Sequence, residues 1–204
     1  MGISVENGGI LTTVQDEGRF GYQAYGVSTS GAMDSHAFHI ANLLVGNKMT
    51  EGALEMTFMG PTLTFTCDNI IAVTGGDLMP MLDGQPMPMY QAVLVRKGQK
   101  LQFGGARNGC RGYIAFAGGL EIPEVMGSKS TLLRNNLGGV KGRKLEKGDT
   151  IAFTAPKTEL SNMENRKVPA DVYPADEVVL RVVLGPQDDE FTERGIRSFF
   201  WNSG

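Results

Sequence analysis

Residues 53–74 read ALEMTFMGPTLTFTCDNIIAVT, and their pattern decides the fold class. Residues 53–58 alternate apolar and polar, the period of a strand with one buried face. Gly60-Pro61 breaks that run. Residues 62–66 and 69–74 read as two more strands, the second rich in β-branched side chains and ending at Gly75-Gly76-Asp77. Further on, residues 79–89 are rich in Met and Pro around an Asp83-Gly84 turn. Residues 90–95 and 100–103 are strands joined by a turn at Lys97-Gly98. A glycine-rich loop at 104–111, a strand at 112–117 and a last strand pair at 145–153 follow. Before the quoted stretch, residues 4–5 and 10–14 flank Asn7-Gly8-Gly9, where Asn-Gly signals a hairpin. Many short strands with frequent turns predict a mostly β domain with one main helix, a barrel or sandwich rather than a doubly wound α/β fold.

That helix closes residues 12–47, TTVQDEGRFGYQAYGVSTSGAMDSHAFHIANLLVGN. Met33, Ala37, Ile40, Ala41 and Leu44 fall on one face at helical spacing. Asp34 is the best N-cap and Ser30 its rival; for Asp34, a capping role and a ligand role both stay open. Gly46 and Asn47 end the helix. The preceding loop mixes charge, glycine and aromatics, a composition that suits a loop with a ligand or partner to hold. His36 and His39 stand three apart on the helix, but they are the only histidines and no Cys or acidic motif completes a ligand set, so no metal site is expected.

The chain has 204 residues, net charge −3 and 28 glycines, about twice the usual share of glycine. Lys and Arg are scattered, which argues against nucleic acid. Neither a signal peptide nor a membrane span is expected, and two cysteines without a disulfide framework fit a cytoplasmic protein. The domain plan is a β domain at 1–155, a linker at 156–175 where Lys, Glu, Asn and Pro replace the strand pattern, and the opening of a second domain at 176–204. That opening is a strand at 177–184 and a helix at 190–201 with Phe191, Ile196, Phe199 and Phe200 on its apolar side. Val179, Leu180, Val182 and Phe199 would be exposed and promote self-association into a homo-oligomer.

The sequence contains no phosphate-loop, dinucleotide or nucleophile-elbow motif, and no site for covalently attached biotin. What remains is four polar loops flanked by Gly, each read at a strand end: 16–30, 75–77, 104–111 and 128–134. Backbone N–H groups freed by glycine make anion nests. Arg19, Arg107, Arg111 and Arg134 can add bidentate contacts to carboxylate or phosphate. Gly18, Tyr22, Gly26, Gly31, Gly75, Asp77, Gly105, Ser128 and Ser130 complete the expected substrate- or anion-binding set.

The segment VQDEGRFGYQAYGVSTSGAMD, with ALEMTFMGPTL, VTGGDL, FGGARNGCRGYIAFAGGL, GSKSTLLRNNLGG and LGPQDDEFTERG, resembles the biotin-dependent carboxyltransferase subunit family. That family includes allophanate hydrolase subunit 2, KipA and the C subunit of 5-oxoprolinase. The resemblance implies a cyclophilin-like β-barrel followed by the start of a second, similar domain. It implies a subunit of an ATP-dependent 5-oxoprolinase-type amidohydrolase, opening 5-oxoproline to glutamate. The alternatives are a carboxyltransferase piece of urea or allophanate metabolism, or a non-catalytic antagonist of a KipI-type kinase inhibitor. The implied partners are the homologous B subunit (KipI, or allophanate hydrolase subunit 1) and the A subunit, with ATP and Mg²⁺ bound in the complex. In this reading Asp16, Arg19, Ser30 and Asp34 are catalytic. Arg19 pairs with an anionic group, Ser30 and the N–H groups near Gly31 hold an oxygen, and Asp16 or Asp34 positions an amide N–H or Mg²⁺.

Overall fold

A computed structural model describes residues 1–171 and 179–201, Trp201 by its backbone alone. Eleven strands form in the first unit, Met1–Val172, and they share two antiparallel sheets that do not close on each other. One sheet contains β1 (Gly2–Asn7), β4 (Thr62–Phe65), β6 (Pro80–Leu82), β7 (Gln85–Pro86), β9 (Lys100–Phe103) and β11 (Thr150–Ala152), in the order β11-β1-β4-β9-β6-β7. The other holds β2 (Leu11–Gln15), β3 (Ala53–Thr57), β5 (Asn69–Asp77), β8 (Ala92–Val95) and β10 (Asn108–Phe116), in the order β2-β3-β10-β5-β8.

The main core contains Ile3, Val5, Leu63, Phe65 and Leu101 from the first sheet and Val14, Leu54, Met56, Ile71, Ile114 and Phe116 from the second. The opposite face of the second sheet is covered as well. There α1 (Ser35–Leu44) buries Ala37, Phe38, Ala41 and Leu44 against Ala53, Ile70, Ala72, Tyr113 and Ala115. Burial of a side chain the size of Phe38 contributes about 1.5–3 kcal/mol. This second layer explains why β3 is buried at all five positions, although its alternation predicts one open face. The helix begins as its residues dictate: the Asp34 carboxylate accepts the Ala37 N–H at 3.0 Å, and Gly46 leaves the last turn with φ +70°. Ser30 is not the cap. Met33, expected on the buried face, precedes the first turn and is 70% exposed.

Two turn readings are corrected by the topology. Asn7-Gly8-Gly9 does not close a hairpin, because β1 pairs β4 and β11 while β2 pairs β3. Lys97-Gly98 likewise carries the chain from β8 in one sheet to β9 in the other. Asp83-Gly84 does make a hairpin, β6 to β7, with φ +50° and +78° at its two central residues as a primed turn requires. The pair expected at 145–153 supplies one strand, β11.

Gly75 and Gly76 are not a loop after a strand but the end of β5 itself. The register with β10 slips between Asn108 and Gly112, and a Cβ on Gly75 (φ +83°) would lie 2.4 Å from the Arg111 carbonyl oxygen. Only glycine fits that bulge.

Residues 156–171, read from the sequence as the first part of a linker, are bonded to the first unit. Lys157 N–H donates to Asn69 Oδ1 at 2.9 Å, Val168 N–H to the Tyr90 carbonyl at 3.0 Å, and Tyr90 O–H to Asp171 Oδ2 at 2.7 Å. The Arg166 guanidinium donates to the Leu43 and Leu44 carbonyls, both at 3.1 Å, and so caps the negative end of α1. Tertiary bonds of this kind leave no mark in a polar, proline-containing composition.

The second unit, Tyr173–Gly204, contains α2 (Glu193–Trp201), within the helix expected at 190–201. Of the strand expected at 177–184, Glu177 and Val178 lie outside the described residues, and 179–184 pair with no strand among the described residues. A strand without a neighbour has no ladder to hold it. Val179, Leu180, Val182, Phe199 and Phe200 line a cavity of about 430 Å³ in this unit. Among the described residues no helix is long and apolar enough to cross a membrane.

Candidate functional site

The loop leaving β2 folds around Asp16 and Arg19. Asp16 is 7% exposed, and its carboxylate accepts from Gly18 N–H at 2.8 Å, Ser128 Oγ at 2.7 Å, Lys129 N–H at 2.6 Å and Ser130 Oγ. Ser128 and Ser130 are themselves fully buried. Arg19 is 1% exposed. Its guanidinium donates to Ser30 Oγ at 2.7 Å, to the Val125 carbonyl at 3.3 Å and to the Ser130 carbonyl. Burial pulls the Arg19 guanidinium below its ordinary range, and the charge of Asp16 opposes that pull. Gly138 lies against the same spot: a Cβ there would stand 2.1 Å from the Ser130 carbonyl oxygen and 2.7 Å from Arg19 Nη2. Asp16 and Arg19 thus tie the 16–34 loop to the 128–138 loop through Ser130.

The loop then runs back across the second sheet to the start of α1. Gly31 N–H donates to Gln15 Oε1 at 3.1 Å and Ala32 N–H to the Asp16 carbonyl at 2.9 Å. Met33 N–H donates to Glu55 Oε2 at 2.8 Å, and Asp34 N–H donates to Tyr113 O–H at 2.8 Å. Tyr113, with no exposed surface, donates to Glu55 Oε2 at 2.8 Å. Burial, followed by the nearby Glu55 charge, pushes the Tyr113 phenol far above its usual range. On the outer side of the helix His39 Nε2 bonds Glu17 Oε1. His36 Nε2 stands 3.5 Å from Asp171 Oδ1.

The four loops expected to contribute to one binding set are therefore divided. Register places Gln15 beside Ala53, and Leu11, Thr57, Arg111 and Gly75 at the opposite end of the sheet. Loops 16–30 and 128–134 come together near the Gln15 end. Gly75, Asp77, Gly105 and Arg107 belong to the opposite end, where Arg107 N–H donates to the Asp77 carbonyl at 2.8 Å and its guanidinium faces the Asp77 carboxylate at 3.5 Å. Tyr22 and Gly26 flank an outlying 3-10 turn, Gln23–Tyr25, with Tyr25 81% exposed.

Of the four arginines expected at an anion, Arg19 is bonded inward, Arg107 faces Asp77 and Arg111 donates to Thr57. Arg134, exposed on the 3-10 turn Leu133–Asn135, makes no hydrogen bond or ion pair within the described residues. Sequence reasoning missed Glu17, Gln15, Glu55, Tyr113 and His39. Neither Glu55 nor the Glu17–His39 pair carried a readable signal: Glu55 reads as an open-face residue of β3 that α1 then covers, and Glu17 and His39 lie 22 residues apart.

A two-sheet β domain with one helix laid over its second sheet is the architecture of a carboxyltransferase-type domain. The chain belongs to that family: the carboxyltransferase domain, subdomain A and B, matches residues 25–203. It is 37% identical over 201 residues to urea amidolyase of Saccharomyces cerevisiae, across 94% of this chain and 11% of that protein. It is 36% identical over 201 residues to the 5-oxoprolinase C subunit of Escherichia coli, across 98% of this chain and 63% of that one. Among solved structures, K. lactis urea amidolyase superimposes with TM-score 0.82 at 34% identity, over 98% of this chain and 13% of that one. TTHA0988 superimposes with TM-score 0.77 at 31% identity, over 97% and 38%. The chain spans less than two thirds of each of these relatives.

Proposed function

We propose that this chain is part of a 5-oxoprolinase-type hydrolase and acts with partner subunits on a small amide. The observation that carries the reading is the joined pair of loops. The Asp16–Arg19 tie fixes Ser30 and Gly31 on one side and the 128–138 loop, with exposed Arg134 at its tip, on the other. Opening a lactam builds negative charge on the carbonyl oxygen, and fixed donors at such a place stabilise it. Arg134 suits the substrate carboxylate or a phosphate, while Asp16 and Arg19 hold the floor rather than the ligand. Gln15, Glu55 and Tyr113 hold the loop's return leg, and Asp34 sets the helix start. The likeness to the C subunit of 5-oxoprolinase, over 98% of the chain, supports the substrate class.

Gly75, Asp77, Gly105 and Arg107, at the far end of the sheet, are left for a partner or for structure. ATP is assigned to the complex. Among the described residues Arg134 is the one of the four arginines whose guanidinium has no hydrogen-bond or ion-pair partner. Subunits of the B and A type are the proposed partners.

The test is 5-oxoproline-dependent ATP hydrolysis by this chain combined with homologous A and B subunits. Coupled turnover, with KM for 5-oxoproline raised about tenfold or more by Arg134→Ala, is the expected result. No turnover from the full mixture refutes the reading.

A second reading, carboxyl transfer to urea, is favoured by the likeness to urea amidolyase. Turnover requiring a biotinylated carrier and urea would select it. Stable binding of the B subunit with neither turnover would select the antagonist role instead.

A further inference from the structure

The chain leaves β3 through a backbone that its side chain does not suit. Phe58 has φ +57°, and Met59 N–H donates to the Thr57 carbonyl at 2.6 Å, the bond of a γ-turn. Glycine takes such a φ freely, whereas a bulky side chain is strained there. The surroundings fix the turn. Phe58 N–H donates to the Cys110 carbonyl at 2.9 Å, and Ile10 N–H to the Met59 carbonyl at 3.3 Å. A Cβ on Gly9 would stand 2.5 Å from the Met59 carbonyl oxygen. What the fold holds in this way is apolar and half open to solvent: Phe58 is 52% exposed, Ile10 53% and Met59 43%. Strain kept at an exposed apolar patch marks a binding surface.

Cations flank these three residues. In the order β2-β3-β10, register sets Leu11, Thr57 and Arg111 side by side, so Phe58 follows the middle strand. On the β2 side Lys144 Nζ donates to the Ile10 carbonyl at 3.2 Å. On the β10 side the Arg111 guanidinium donates to Thr57 Oγ1. Lys144 belongs to the run KGRKLEK at 141–147, where the three lysines are exposed while Arg143 is taken up by Asp149 and Glu146. Leu145 N–H, donating to the Thr12 carbonyl at 2.8 Å, holds that run beside β2. A chain of net charge −3 is therefore locally positive here, at the end of the sheet away from Gln15.

We infer that Ile10, Phe58 and Met59, with Lys144 and Arg111 at their sides, form the docking surface for a partner protein. Its face would offer an apolar cleft ringed by Asp and Glu. The inference rests on the reading above that this chain works with partner subunits. A second copy is the poorer occupant, because a two-fold contact of this patch with itself sets cations against cations. Cations held by hydrogen bonds beside an apolar centre match discrete carboxylates around an anchor. A lipid surface asks only for spread positive charge.

The test is interferometry of the full chain against homologous A and B subunits, each immobilised in turn, at low and high salt. One subunit should bind, more weakly as salt rises. Phe58→Gly should weaken binding about tenfold or more without lowering the thermal midpoint, since glycine relieves the strain. Lys144→Glu should slow association and lessen its dependence on salt. Native affinity in either variant, or a Phe58→Gly loss accompanied by a lower melting temperature, overturns the inference. Binding to vesicles that contain phosphatidylserine, lost in Phe58→Gly, overturns it in favour of a membrane surface. If neither subunit binds the native chain, the partner reading is refuted instead. A probe peptide of Glu and Asp around a single Phe then judges the patch. In the 15N-labelled chain its amide shifts should centre on residues 10, 58, 59 and 144 and disappear in Phe58→Gly. Shifts centred elsewhere, or none, overturn the assignment.

Discussion

Replacing Arg19 by Met separates a buried brace from a substrate contact. The side chain is 1% exposed, and its guanidinium serves Ser30 Oγ and the Val125 and Ser130 carbonyls. Met fills much of the volume but donates nothing. Stranding these three acceptors costs about 1–3 kcal/mol each. Asp16 retains Gly18 N–H, Lys129 N–H, Ser128 and Ser130 as donors, so its charge is not left bare. The lower part of the range follows, about 3 kcal/mol. Urea unfolding followed by fluorescence should show the midpoint falling by about 1–3 M at an unchanged slope of about 1–3 kcal/mol per M. Arg107→Ala, whose side chain is 71% exposed, should move stability by no more than about 0.5 kcal/mol. An Arg19→Met chain that unfolds at the native midpoint, while its complex loses affinity for 5-oxoproline, would refute the reasoning and restore Arg19 as an anion ligand.

Three further outcomes follow from the same contacts. The Tyr113 phenol ionises near pH 10 when unfolded and far higher when folded. Its contribution is therefore complete below pH 10 and is lost as pH rises above it. Tyr113→Phe should cost about 1–3 kcal/mol at neutral pH and flatten the alkaline fall in stability; identical alkaline slopes would contradict this. Asp34→Ala removes the cap on Ala37 and should destabilise by about 1 kcal/mol, with Asp34→Asn nearly neutral by thermal melting. Val183, 95% exposed, and Phe199, 75% exposed, should drive concentration-dependent association in sedimentation runs, weakened by Val183→Lys; a strict monomer at every concentration would dismiss it.

The legible part of the molecule was its local part. The strands around residues 53–74, the Asp34 cap and the Asp83-Gly84 turn each follow from contacts within a few residues, and each forms. Asn7-Gly8 and Lys97-Gly98 look the same in sequence, yet they move the chain between sheets, because a turn dipeptide specifies a bend and not the strand that will lie alongside. Arg19 illustrates the limit at the site. Its residue type announces a charge, but its burial depends on Ser130, 111 residues away, and on the Gly138 backbone. The four glycine-flanked loops were all visible in sequence. Their division between two ends of a sheet depends on strand register, and register is set by long-range pairing.

The pairing of the first strand has a consequence for how the chain is made. Gly2 lies opposite Ala152 and Ser4 opposite Thr150, so the opening residues wait for a segment that leaves the ribosome some 150 residues later. At about 5–20 residues per second of synthesis, β1 spends on the order of ten seconds with that edge unpaired. Contacts so distant along the chain also make refolding slow compared with helical proteins of equal size. Chaperone demand during translation, rather than final stability, is where this topology will be felt first.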